Sequence, residues 1–238
     1  MKSTIISHIG KRKINQDFTL VKSINADTFL YLIADGMGGY DNGDVAASIV
    51  IDSVSTFLTN TKELNENAIK KAINKANLAV RQYQEQHHSK LGSTLGGIIV
   101  SGETARAFWV GDVKILHYSK SKLSFESKPH NLKNELSEAD DSIDNLDFSK
   151  YNHVVTRSIQ GDVKKSEPSF QKFLLNKGDK VFVCSDGVHN IMDSLTLQYL
   201  LNINETSGTL LDTIDQRLIE EANDNASLIL IEDFSISG

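Results

Sequence analysis

An α+β fold, with helices laid on antiparallel sheet, is what this amino-acid sequence predicts, and three observations predict it. Strand-like apolar runs crowd both ends of the chain. A further group in the middle reads as a meander of consecutive antiparallel strands. Helical periodicity is confined to two segments early and two late, a segregation that favours helices packed on sheets over alternating βαβ units. With 238 residues, only 2 prolines and no Gly/Ser-rich linker, residues 1–238 read as one compact domain.

Taken in order, residues 3–9 form a first strand, followed by the basic turn GKRKINQD and a strand-like FTLV. The apolar run 29–34 ends at Asp35 and drops into a glycine-rich turn, the pattern of a buried strand closed by a turn signal. A helix starts near Val45, capped by Asn42 or Asp44, with Ala46, Val50 and Phe57 at helical spacing. A second helix covers about 66–85, where Ile69, Ile73, Ala76, Val80 and Tyr83 make one apolar stripe. TLGGIIV, RAFWVGD and KILHY supply the meander. From about 126 to 165 the periodicity fails. The run KNELSEADDSIDNLDFSKYNH is polar and acidic, so this stretch reads as an excursion from the core. Regular structure returns at DKVFVCSDG, again a buried strand ending in Asp-Gly. Helices follow at about 193–201 and 208–222, the latter with Leu211, Ile214 and Leu218 on one face. The last strand is SLILIEDF, entered through Asp224 and Asn225.

Composition narrows the function classes. The chain is 39% hydrophobic and 24% charged, an ordinary globular balance. No apolar run approaches the roughly 18 residues of a membrane span, and MKSTIISHIG has too short an apolar core for a secretory signal. These readings predict no membrane association. The single cysteine, Cys184, excludes an internal disulfide framework and suits a reducing cytoplasm. Lying within VFVCSD, it is expected in the core. A net charge of −6 argues against a nucleic-acid binder, which needs a basic face.

The chemistry lies in the acids. Asp17, Asp35, Asp112, Asp186 and Asp224 each sit at an inferred strand boundary, and three of them adjoin glycine. Singly, Asp-Gly is a common turn. Together, converging carboxylates repel one another unless a cation lies among them. Oxygen-only donors suit Mg²⁺ or Mn²⁺, whereas CxxC and HExxH, the marks of zinc sites, are absent. An EF-hand starting at Asp35 fails, because Tyr40 stands where its loop needs Gly and Ala46 where it needs Glu.

RKINQD, ADGMGGYDNGD, LGST, VGDVKI, SDGV and DNASL occur in the order found in the metal-dependent serine/threonine protein phosphatases of type 2C. The resemblance runs from Gly10 to Ile231, and the methionine within ADGMGG resembles the bacterial branch. It implies a four-layer α-β-β-α sandwich with two central antiparallel sheets and two Mn²⁺ or Mg²⁺ ions at one end. It implies hydrolysis of phosphoserine and phosphothreonine on proteins, opposing a serine/threonine kinase, by a monomer. Asp35 resembles the ligand bridging both ions and Gly36 the backbone-carbonyl ligand. Asp186 and Asp224 resemble the remaining ligands of the first ion, and Asp17 the acid beside the second. Arg12 resembles the arginine that grips substrate phosphate, for which its planar fork is suited. Ser93 and Thr94 resemble a structural strand start.

The chain departs from that pattern at several points. Met37 stands where eukaryotic members carry a histidine, leaving no side-chain acid there. Asn190 stands where an aspartate is common, so a third ion on Asp112 and Asp186 is expected to bind weakly. Val113 and Lys114 replace the usual serine and arginine. His189 adjoins the ligand set, with a supporting role favoured over proton transfer. Trp109 is expected in the core, and His87 and His88 at a helix end. The excursion 126–165 is the family's flap. Two alternatives are a silent phosphoprotein-binding regulator of the same fold, which loss of a core acid would favour, and a two-metal nuclease, which would need a basic groove.

Overall fold

The structure, a computed structural model, describes residues 1–37, 42–139 and 154–234. Ten strands are described: β1 (Lys2–His8), β2 (Asp17–Asn25), β3 (Thr28–Asp35), β4 (Leu95–Ser101), β5 (Thr104–Val110), β6 (Lys114–Ser119), β7 (Lys122–Glu126), β8 (Ser169–Leu174), β9 (Lys180–Cys184) and β10 (Ala226–Glu232). The helices are α1 (Gly43–Asn60), α2 (Glu66–His87), α3 (Leu132–Ala139), α4 (Asp186–His189), α5 (Ser194–Ile203) and α6 (Ser207–Glu221). Two five-stranded sheets result, ordered β1-β10-β9-β6-β7 and β2-β3-β4-β5-β8. All named pairings are antiparallel.

Strand side chains alternate between faces, and the buried residues separate into three layers accordingly. Leu30, Leu32 and Ala34 of β3 face α1 and α2, against Val50, Val54, Ile69 and Ile73. Tyr31 and Ile33 of the same strand face the other way, meeting Ile115, Val183, Ile229 and Ile231 of the opposite sheet. The second sheet turns Phe182, Cys184, Leu228 and Leu230 outward against Leu197, Leu201, Ile214 and Leu218 of α5 and α6. The order is therefore helices, sheet, sheet, helices. Strands such as β4 and β10 are buried on both faces, which is why they read as continuous apolar runs.

Several expectations are corrected in detail. Asn42 occupies the α1 N-cap position with φ 71° and makes no side-chain cap bond. The stripe of α6 centres on Leu210, Ile214 and Leu218, with Leu211 only partly buried. β8 escaped notice because SFQKFL is a half-exposed edge strand without clean alternation. The stretch 126–165 is not uniformly irregular. It opens with α3, whose start is tied to the returning chain by the Asn131–Val155 bridge and a bond from Leu132 N–H to the Val154 carbonyl, 2.9 Å. Much of the acidic run predicted as the flap falls on 140–153, outside the described residues, as do Gly38 and Gly39.

Candidate active site

Alternation along β3 decides where its terminal acid goes. Tyr31 and Ile33 face the gap between the sheets, so Asp35, two residues on, emerges from that same face at the strand end. Asp17 is its cross-strand partner in the β2–β3 register. Two carboxylates directly opposite on one face are an unfavourable pairing in an ordinary sheet. The other sheet contributes from its adjacent strands β9 and β10: Asp186 opens α4 just after β9, and Asp224 precedes β10. Asp112 lies where the chain crosses from β5 in one sheet to β6 in the other, after Gly111 at φ 99°.

Hydrogen bonds hold this end of the sandwich in register. The Asp35 carbonyl accepts from Thr94 N–H at 2.9 Å and from Ser93 Oγ at 2.9 Å. Gly36 N–H donates to the Gln16 carbonyl at 3.0 Å, and a β-carbon at Gly36 would lie 2.1 Å from the Gly43 carbonyl oxygen. No other residue fits. One side chain ties the loop 9–16 at three backbone points. Asn225 Oδ1 accepts from Gln16 N–H (2.9 Å) while its Nδ2 donates to the carbonyls of Ile9 (2.8 Å) and Ile14 (3.0 Å). That loop presents Arg12, whose Nη2 donates to Asp224 Oδ2 at 2.7 Å in a half-exposed ion pair. Ser185 Oγ donates to Asp17 Oδ2 at 2.7 Å, a bond from one sheet to the other. His189, partly buried, has Nε2 3.0 Å from the Asp112 carbonyl and so supports that turn; loss of surrounding water pushes its imidazole down to about 4, leaving it neutral.

The electrostatics are those of crowded negative charge. Burial pushes Asp17 up to about 6, with Asp186 and Asp224 adding repulsion against the pull of Ser185. Asp35 is raised well above the usual carboxylate range by burial and then by Asp17, Asp186, Asp112 and Asp224. Asp112 reaches about 7 through burial and Asp186. The guanidinium of Arg12 is raised by its bond to Asp224 and by the fields of Asp186 and Asp35. Its single positive charge does not balance five acids.

The donor set fits hard divalent cations. Its oxygens are carboxylates and backbone carbonyls, and Asp17 Oδ1 is a buried carboxylate oxygen with no hydrogen-bond partner, an expensive state unless a cation serves it. Among the described residues no three His, Cys, Asp or Glu side chains stand as a finished cage for an ion. The acids converge on a common space instead, and one of them leans on Arg12.

That space is a cavity of about 430 Å³ whose lining includes Arg12, Asp35, Gly36, Asp112, Asp186 and Asp224. Asp17 lies behind this wall, buried. Six of the seven residues singled out from sequence thus share one cavity, and the seventh backs it. A larger cleft of about 710 Å³ between α1 and α2 has no such group of acids. Asn190 lines a neighbouring recess with Asp112, Asp186 and His189. Lys114 pairs with Glu126 at 2.5 Å, Val113 is buried between the sheets, and Trp109 is buried with its indole N–H donated to the Lys128 carbonyl at 2.8 Å. Sequence reading missed Ser185 and Asn225. The only local hint for either is its place beside a proposed ligand.

Comparison with known proteins identifies the family and the fold. The profile of the family described as Protein phosphatase 2C matches residues 6–222. Protein phosphatase PhpP of Streptococcus pneumoniae is 23% identical over 235 residues, covering 96% of this chain and 94% of its own. The Streptococcus agalactiae serine/threonine phosphatase superposes with a TM-score of 0.85 at 23% identity, over 97% of this chain and 98% of the other. The catalytic domain of the phosphatase PstP, solved in complex with 2 manganese ions, superposes at 0.78 and 21% identity, covering 96% of each chain.

Proposed function

This chain belongs to the protein phosphatase 2C family, and on that premise we propose that it hydrolyses phosphoserine and phosphothreonine on proteins with two divalent cations. Asp17, Asp35, the Gly36 carbonyl, Asp186 and Asp224 would hold them. The observation that carries the reading is the convergence of Asp35, Asp112, Asp186 and Asp224 on one cavity that also presents Arg12. When bound, Mn²⁺ or Mg²⁺ supplies the lowered water pKa and the charge clamp of an in-line displacement.

The chain's own residues do the remainder. Arg12 stands on the rim with one face engaged by Asp224, and its other donors are the phosphate grip, neutralising equatorial oxygens as charge spreads over them. Asp35 is positioned through its backbone by Ser93 and Thr94, so its carboxylate is preorganised rather than recruited. Met37 lines the cavity and has no ionisable group, so the leaving alcohol takes its proton from solvent. A third ion near Asp112 binds weakly, because Asn190 offers a carbonyl oxygen without charge. Cys184 is buried and its thiol is pushed up by burial, which fits a mechanism with no covalent phosphoenzyme. We place the protein in the cytoplasm as a monomer opposing a serine/threonine kinase.

The test is phosphate release from a phosphothreonine peptide with Mn²⁺, with and without chelator, repeated with Asp35→Asn. Release that survives either the chelator or the substitution contradicts the proposal. Retention of all the acids named above argues against a silent phosphoprotein-binding relative.

A further inference from the structure

The cavity has a part that phosphate chemistry does not use. Met37, Val154 and Val155 line it alongside the acids and Arg12, and none of the three side chains offers a charge or a hydrogen bond. We infer that this apolar ledge receives an aliphatic side chain next to the phosphorylated residue of the protein substrate, so that the enzyme selects phosphopeptides with an aliphatic neighbour over those with an acidic one. The inference rests on the phosphatase reading and names what that site selects.

Three features make the ledge a fixed element rather than a chance exposure. Val154 is 44% exposed at the cavity, and as a β-branched residue it has a stiff side chain. Its backbone is pinned to the start of α3. Leu132 N–H donates to its carbonyl at 2.9 Å, Val155 bridges to Asn131, and Thr156 N–H donates to the His130 carbonyl at 3.0 Å. Met37 arrives from the other side of the sequence, its N–H donated to the Gly92 carbonyl at 3.1 Å. A β-carbon at Gly92 would lie 2.2 Å from the Met37 methyl, so glycine there makes room for the thioether. Two rigid valines and one adaptable methionine suit an aliphatic group of variable shape. A carboxylate set against Met37, Val154 and Val155 would lose water and gain neither a charge nor a hydrogen bond in return, which disfavours an acidic neighbour there.

The experiment compares kcat/KM for phosphothreonine peptides identical except at the flanking positions, which are Leu, Ser or Asp, with Mn²⁺ present. An aryl phosphate is run in parallel. A pocket contact of this kind discriminates by roughly 10-fold or more, so the Leu peptide should exceed the Asp peptide by at least about 10-fold. In Val154→Ser, and separately in Met37→Ser, the Leu-to-Asp ratio should fall to within about 3-fold. Equal use of the three peptides by an enzyme that turns over the aryl phosphate overturns the inference and leaves the phosphatase reading standing. So does a ratio that persists in both folded variants. Turnover of neither peptides nor aryl phosphate removes the phosphatase reading and this inference with it.

Discussion

At the scale of single residues, the site is an imbalance of charge held in place by neutral neighbours. Asp17 near 6 and Asp112 near 7 compare with an ordinary carboxylate near 4. In that range these acids and Asp35 keep protons that the unfolded chain has released, whereas His189, held near 4, lacks one that the unfolded chain keeps to about pH 6.5. The three raised acids outnumber it, so stability falls as pH rises from about 5 to 8. Metal-free protein should melt at a lower temperature at pH 8 than at pH 5, and Mn²⁺ should erase the difference. Melting curves with and without chelator check this; a higher midpoint at pH 8 in chelator contradicts it. By the same argument Asp35→Asn, while abolishing turnover, should stabilise the metal-free protein at pH 8, read as a raised denaturant midpoint. Arg12→Ala should lower kcat/KM for a phosphopeptide by about 10- to 1,000-fold, the scale of one lost charge-stabilising donor. Asp35 and Asp186 were legible in the sequence because each ends a buried run with Asp-Gly. Ser185 and Asn225 were not, since their partners lie far off in the chain, Asp17 at 168 positions and Ile9 at 216.

Elements matter here chiefly through what they hold at their ends. The loop 9–16 has no internal regular structure, and the Asn225 side chain ties it at three backbone points. Asn225→Ala removes three hydrogen bonds to the backbone of that loop. It should cost about 1–3 kcal/mol and raise the KM for phosphopeptide through a displaced Arg12, measured as a KM change larger than the kcat change. Gly36→Ala drives a methyl into the Gly43 carbonyl, so β3 and the start of α1 cannot both keep their places. The strands facing both layers were readable as continuous apolar runs and the two long helices from their period. β8 and α3 were not, because one is a half-exposed edge and the other is a short polar helix whose placement depends on its bridge to the returning chain.

For the molecule as a whole, the acids gather at one end of the sandwich. Both sheets run their buried faces together through Ile33, Val183 and Ile229, so core chemistry ends where the acids begin. Cys184 lies on the helix-facing side of that core, fully buried. Thiol reagents should therefore leave the folded protein unlabelled and active, and react only above the unfolding midpoint, as mass spectrometry across a denaturant series would show. Among the described residues, no helix is long and apolar enough to cross a membrane. The α+β class followed from segregated helices and strands and the four-layer order from the family resemblance; the meeting of acids from both sheets needed the three-dimensional register.

The Ser185–Asp17 bond is a hydroxyl of one sheet serving an acid of the other, at the end where those acids repel. A cation seated among them would act as a rivet as well as a reagent. Stripping it should loosen that end alone, so chelation should speed deuterium uptake by amides near Asp17, Asp35, Ser185 and Ser227 while leaving the far rim, around Asp179 and Lys180, as slow as before.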